Sequence, residues 1–371
     1  MKTNVTKQLH NLGQSLWLDY IRRDLITSGK LRQLIDDDGL SGITSNPSIF
    51  EKALAENTLY DDDIREILSA EPEISTPTLF ERLEVRDLQM AADALRKVYD
   101  RTSGADGFVS MEVSPKLAFD ASSSITEAHR LWQEVNRPNL MVKIPATPQG
   151  MEAIETLTAD GINVNVTLIF SVPQYECVVE AFLSGLKRNS APEKVRSVAS
   201  FFVSRVDTAV DRILGEAEFP EASTLKGKIA VANAKLAYRC FREFFLTEKF
   251  NEYKERGAHL QRPLWASTST KNKEYSDILY VQELIGPDTI NSVPLATLEA
   301  FRDHGKAHAT LMAGLSEVET AVGILERNEI SIHSIGQSLL DDGVEAFSKA
   351  YDQLMKQLDI KRRTFQAEKA A

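Results

Sequence analysis

The chain has 371 residues, 43% of them apolar and 26% charged, which is the composition of an ordinary globular protein. Its net charge of −11 and pI of about 5.2 argue against non-specific nucleic-acid binding, which needs Lys and Arg to displace counterions from phosphates. No run approaches the ~18 apolar residues of a membrane span, and the polar start MKTNVTKQLHNLGQ lacks a signal-peptide core, so a cytoplasmic location is expected.

Eight short β-like runs appear in chain order: SLWLD (15–19), SGITS (41–45), GFVSMEV (107–113), LMVKIPA (140–146), INVNVTLIF (162–170), VASFFVSRV (198–206), PLWAST (263–268) and TINSVP (289–294). Each is rich in Val, Ile, Phe or Thr and is bounded by Gly, Asn or Pro. Between them lie stretches such as 78–99, 125–135 and 174–186, whose apolar residues recur at helical spacing. Strand-helix alternation predicts a parallel sheet, and eight units predict a closed (β/α)8 barrel. Polar caps before proline (Asn46-Pro47, Thr147-Pro148, and Ser171 ahead of Pro173) mark the strand-to-helix junctions.

Two connections exceed a single crossover helix. Residues 51–106 carry an acidic loop (EPEISTP) and at least two helices, and 207–262 include a long helical run near 225–256. The tail from about 295 to 371 also reads as helices. With no low-complexity linker, the whole of 1–371 reads as one decorated barrel domain. Cys177 and Cys240 fall in helical runs with no CxxC spacing, and are expected to be buried free thiols in a reducing compartment.

Alternate residues of a barrel strand point inward. In INVNVTLIF, Asn163, Asn165 and Thr167 share one face, and Val164, Val166 and Leu168 share the other. Turning the apolar face toward the helices leaves three polar groups inside, where they need partners or a wet site. On LMVKIPA, Lys143 alternates with Val142 and Ile144. Lysine is rarely buried without a partner or a purpose. Burial disfavours the ammonium, and a neutral amine attacks a ketone to give a carbinolamine and then an imine. From this strand alone, a buried Lys–Glu pair or an ammonium reaching out of the barrel mouth stands equal to the reactive amine.

Carboxylates lie at two other strand ends. Asp19 closes SLWLD, and Glu112 sits in SMEV with Ser110 on the same face. They can supply the base and acid of a retro-aldol step. Equally, Asp19 can cap a helix, Glu112 can pair with Lys143, and Asn46 can cap the turn at Pro47. Ser200 and Arg205 of strand six, and Lys271 after strand seven, place a hydroxyl and two cations where a phosphate can bind, though solvated surface cations give the same pattern. There is no GxGxxG after a strand and no GxxxxGK[ST]. His304 and His308 are four apart without a supporting carboxylate arrangement, so no metal or organic cofactor is expected.

Five ordered blocks, GITSNPSIF, SMEVSPKLAFD, VKIPATPQG, INVNVTLIFS and SFFVSRVD, resemble those of transaldolases, in particular the longer bacterial form. The resemblance covers about residues 10–300. It implies a class I aldolase-type barrel with Lys143 as the imine-forming lysine and Asp19 as the acid/base for carbon–carbon cleavage. It further implies that Glu112 and Thr167 hold a proton-relaying water. Asn46 and Asn165 would bind substrate hydroxyls and the dihydroxyacetone unit, and Ser200 and Arg205 the phosphate. Many relatives carry an arginine in an ASFRN-like motif after strand seven. Here the sequence reads ASTSTKN, so Lys271 would take that place as a point charge rather than a bidentate fork. Phe201 stands where many relatives have proline.

The implied reaction moves a dihydroxyacetone unit from sedoheptulose 7-phosphate to glyceraldehyde 3-phosphate, giving erythrose 4-phosphate and fructose 6-phosphate. The competing readings are an aldolase that releases free dihydroxyacetone from fructose 6-phosphate, and a barrel that binds sugar phosphate without turnover. Sugar phosphates are the expected partners, with no nucleic acid and no membrane, in a monomer or homodimer.

Overall fold

A computed structural model of the chain describes residues 4–46, 48–51 and 58–370. Eight strands close a barrel in sequence order, and every pairing is parallel. They are β1 (Gln14–Asp19), β2 (Leu40–Thr44), β3 (Phe108–Glu112), β4 (Leu140–Pro145), β5 (Val164–Ile169), β6 (Ser197–Phe202), β7 (Gln261–Ala266) and β8 (Thr289–Val293). Most of the apolar core lies between the barrel wall and the surrounding helices.

A second, smaller apolar cluster of Trp17, Phe108, Met141, Val198, Leu264 and Ile290 draws one residue from each of six strands. It forms a floor across the barrel interior. Trp17 fits only because β2 carries Gly42 beside it: a Cβ there would sit 2.4 Å from the indole ring. Asp106 fixes the indole by accepting from Trp17 Nε1 at 2.7 Å. Two residues further along five of these six strands, toward the C-terminal ends, the same inward face becomes polar: Asp19, Ser110, Lys143, Ser200 and Ser292, with Ala266 on the sixth. The apolar floor thus sets the depth of a polar chamber at the end where barrel enzymes place their chemistry.

Several boundaries differ from the sequence reading. The run VASFFVSRV is not one strand: β6 ends at Phe202 and a helix begins at Ser204, so Arg205 occupies that helix's first turn. The 207–262 connection is broken into Ala222–Leu225, Ile229–Phe245 and Asn251–Glu255 rather than one long helix. The first connection carries Asp61–Ala70 and Thr76–Arg101, while Pro47 and residues 52–57 lie outside the described residues. Cys240 is buried, but Cys177 is exposed on the outer face of its helix; both are free. Thr147 caps its helix as expected, accepting from the Gly150 N–H at 3.0 Å, whereas Ser171 makes no such capping bond.

The tail is helical, ending in a 39-residue helix, Ile332–Ala370. It packs against β5, the helix Thr76–Arg101 and the helix Ser204–Glu216, and so runs across the C-terminal ends of the strands.

Candidate active site

The strand register places Glu112 beside Lys143 and Lys143 beside Asn165 in three adjacent strands. Lys143 is 5% exposed. Its Nζ donates to the Ser45 carbonyl at 3.0 Å and lies 3.4 Å from Glu112 Oε2. Burial pushes the Glu112 carboxyl above its ordinary range, and the nearby Lys143 ammonium only partly offsets this. Asn165 is held from both sides: its Nδ2 donates to Ser110 Oγ at 3.0 Å, and its Oδ1 accepts from Ser200 Oγ at 2.7 Å. Asn165 is therefore oriented before any ligand arrives.

Asp19 faces this group from β1. Thr44, its register partner on β2, donates to Asp19 Oδ1 at 2.9 Å. Thr44 has one hydroxyl proton, so its 2.9 Å contact with Ser292 Oγ is filled by a proton from Ser292. The chain Ser292, Thr44, Asp19 thus aims one carboxylate oxygen. Burial raises the Asp19 carboxyl, while Lys143, Thr44, Lys271 and Asn46 each pull it back down. Lys143, Lys271 and Asn46 therefore all act on one carboxylate.

The structure distributes the remaining sequence candidates unevenly. Thr167 is buried on β5 and its Oγ1 has no hydrogen-bond partner. Asn163 does not reach the chamber chemistry: it staples strand starts, donating to the Pro138 and Leu140 carbonyls and accepting from the Arg196 N–H. Ser200 gives its hydroxyl proton to Asn165. Arg205 is partly buried, its guanidinium over the Phe202 ring at 5.5 Å. Lys271 is exposed and donates to Ser269 Oγ at 2.6 Å. Its loop is tied to the 207–262 connection by Tyr275, which donates to Asp211 at 2.7 Å and packs on Gly227, itself at φ +71°. His304 is an exposed surface residue near Asp277 and Asp303, remote in kind from this buried group.

The family model Transaldolase/Fructose-6-phosphate aldolase matches residues 16–358. The chain belongs to that family. It is 45% identical over 359 residues to a transaldolase of Thiobacillus denitrificans, covering 96% of this chain and 99% of the relative. It is 44% identical to a transaldolase of Thermobifida fusca, over 94% and 96% of the two chains. With transaldolase 2 of Nostoc punctiforme it shares 41% identity, over 97% and 98%. The matched region runs well into the tail helix, beyond the blocks that carry the resemblance in the sequence.

Sequence reasoning missed three residues at or beside this candidate site. Thr44 and Ser292 orient Asp19. Both lie inside predicted strands, and the signal that could find them is the register of β1 with β2 and β8, which a single sequence does not print. The third is Glu84, on the helix Thr76–Arg101. Glu84 is 7% exposed and lines a side cavity of about 350 Å³ together with Glu112 and Tyr351.

Burial, then Glu112, Glu81 and Asp87, push the Glu84 carboxyl up to about 8. The folded protein therefore keeps a proton that the unfolded chain loses near its ordinary value of 4.5. Between those values folding takes up a proton, so Glu84 costs no stability at the acid end and costs progressively more as pH rises. Glu84→Gln is expected to stabilise the fold by on the order of 1 kcal/mol at about pH 8 and by much less at about pH 5. Denaturant unfolding at the two pH values checks this; an equal shift at both would remove the titration from the account.

Proposed function

We propose that the chain transfers a dihydroxyacetone unit between sugar phosphates through a Schiff base on Lys143. The observation that carries the reading is the buried Lys143 amine, flanked by Glu112 at 3.4 Å. Asp19 faces it in the same polar chamber.

In this reading the Lys143 amine attacks the ketose carbonyl, and loss of water gives the protonated imine. Asp19 takes the proton of the fourth-carbon hydroxyl. The bond between the third and fourth carbons breaks, its electron pair flows to the imine nitrogen, and an aldose phosphate leaves. The three-carbon unit stays on Lys143 as an enamine until an acceptor aldehyde enters. Reversal of the same steps forms the new ketose and frees the amine. Glu112 and the unpartnered Thr167 hydroxyl hold the water that relays protons in imine formation and hydrolysis. Asn46 and Asn165 bind the hydroxyls of the dihydroxyacetone unit. Arg205 and Lys271 grip the phosphate, and Ser200 supports the grip from its position beside Asn165. The donor is sedoheptulose 7-phosphate and the acceptor glyceraldehyde 3-phosphate.

The matching family includes an aldolase, and the Glu112–Thr167 pair supports the transferase reading over it. The free state of Cys177 and Cys240 supports a cytoplasmic setting, and we read the chain as one decorated barrel domain acting as a monomer or homodimer. Among the described residues no helix is long and apolar enough to cross a membrane. A two-arm turnover assay tests the function. Fructose 6-phosphate with erythrose 4-phosphate should give fast exchange, and fructose 6-phosphate alone should release dihydroxyacetone far more slowly. Multiple-turnover release that outpaces transfer would move the chain to the aldolase side.

A further inference from the structure

The tail helix Ile332–Ala370 presents one face to the chamber. Gly343 lets it come close: a Cβ there would lie 2.9 Å from Leu168 Cδ2 and 3.6 Å from Arg205 Nη1. Gly336, two turns earlier, sits similarly against Ser171, with a Cβ at 3.1 Å from the serine Cβ. β5 bends to meet this face. Its register with β6 shifts between Val166 and Ile169, and Leu168 takes φ +62°, a conformation unfavourable for a branched side chain. Leu168 thus turns toward the tail helix instead of the outer helices that strict alternation predicts. One turn after Gly343 comes Phe347, 7% exposed, with Lys143 Nζ 6.0 Å from its ring centroid. The helix is pinned further along by Lys361 to Asp61 at 2.7 Å and by Thr76 to Asp359 at 2.9 Å.

We infer that Phe347 is a specificity-determining residue: it sets an apolar ring beside the Lys143 nitrogen and so keeps proton-donating water from the enamine carbon of the three-carbon intermediate, which favours transfer over release. The inference rests on the Schiff-base reading above. The competing reaction is explicit. The enamine carbon takes a proton, giving the imine of dihydroxyacetone. Water adds to the imine carbon and loses a proton, and the carbinolamine collapses to free dihydroxyacetone and the Lys143 amine. Overall one water is consumed and no other reactant is needed. Transfer wins only if an acceptor aldehyde reaches the enamine carbon before a proton does. Both routes end with hydrolysis of an imine by the water held at Glu112 and Thr167; the release route alone needs a proton delivered to the enamine carbon, and the apolar ring beside the nitrogen slows that step by keeping further water out.

The test is the partition between release and transfer. In Phe347→Ala, dihydroxyacetone release from fructose 6-phosphate alone is expected to rise about tenfold relative to transfer to erythrose 4-phosphate. Borohydride trapping of the donor on Lys143 should persist in the same variant. Phe347→Met, which keeps an apolar cover, should hold the wild-type ratio, and Phe347→Gln, of similar reach, should raise it. These two carry the comparison if the alanine variant does not fold. An unchanged ratio in folded Phe347→Ala, or in Phe347→Gln where the alanine variant does not fold, overturns the inference. Failure of the wild-type enzyme to form any adduct would instead overturn the Schiff-base reading beneath it.

Discussion

Lys143→Ala is expected to lower sugar-phosphate transfer by on the order of a thousandfold or more while leaving the barrel folded. Without the amine there is no imine to receive the electron pair when the carbon–carbon bond breaks. Neither Asp19 nor Glu112 can replace that electron sink. The fold is expected to survive because the buried carboxyls that lose this cation, Glu112 and Asp19 above all, already sit above their ordinary ranges, so they can take up protons instead of standing as unpaired charges. Lys143→Arg separates chemistry from charge. It keeps a cation beside Glu112 but offers no nucleophilic amine, so it should be as inactive as the alanine variant. Circular dichroism reports the fold and a coupled assay reports transfer. Appreciable residual transfer in a folded variant would remove Lys143 from its role.

The second large effect is expected at Asp19. Asp19→Asn should lower transfer by about a hundredfold to ten-thousandfold, the usual range for a lost general base. It should leave trapping of the donor on Lys143 intact, because imine formation precedes the step in which Asp19 takes a proton. The pH profile gives an independent readout. A base works in its ionised form, and burial holds the Asp19 carboxyl above the ordinary 3.8. The acid limb of kcat/KM should therefore lie above the pH of a free aspartate. Thr44→Val removes the hydroxyl that favours the ionised form, so it should move this limb to still higher pH. A limb unmoved by Thr44→Val would assign it to another group, with Glu112 the first to examine.

Much of this was legible in the sequence, and for definite reasons. The eight strands announce themselves because parallel barrel strands are apolar, short and punctuated by caps. Lys143 stands out because lysine in such a strand is chemically anomalous, and Asp19, Glu112 and Asn165 follow once inward and outward faces are assigned. The boundary after Phe202 was hidden because Val203 and Val206 continue a β-like run with no glycine or proline to stop it. The Val203 N–H still bonds to Ala266 before the chain turns helical at Ser204. The orientation of Leu168 was hidden by the shift in β5, since strict alternation assumes an unbroken register. The exposure of Cys177 depends on which helical face meets the neighbouring helices. The tail was the largest gap. Helical periodicity says that Leu340, Phe347 and Leu354 share a buried face, but not that this face looks into the chamber. Gly336 and Gly343 read in isolation as weak points of a helix, whereas in the fold they are the places where it closes on Ser171, Leu168 and Arg205.

The central claim is that Lys143 carries the substrate covalently, and one measurement bears on it most directly. Wild-type enzyme is incubated with fructose 6-phosphate, reduced with borohydride, digested and mapped by mass spectrometry. The account predicts a reduced adduct, of the six-carbon donor imine or of the three-carbon unit in its imine form, located on the peptide containing Lys143. A folded, donor-treated enzyme with no adduct, or with its adduct on another lysine such as Lys271, would contradict it.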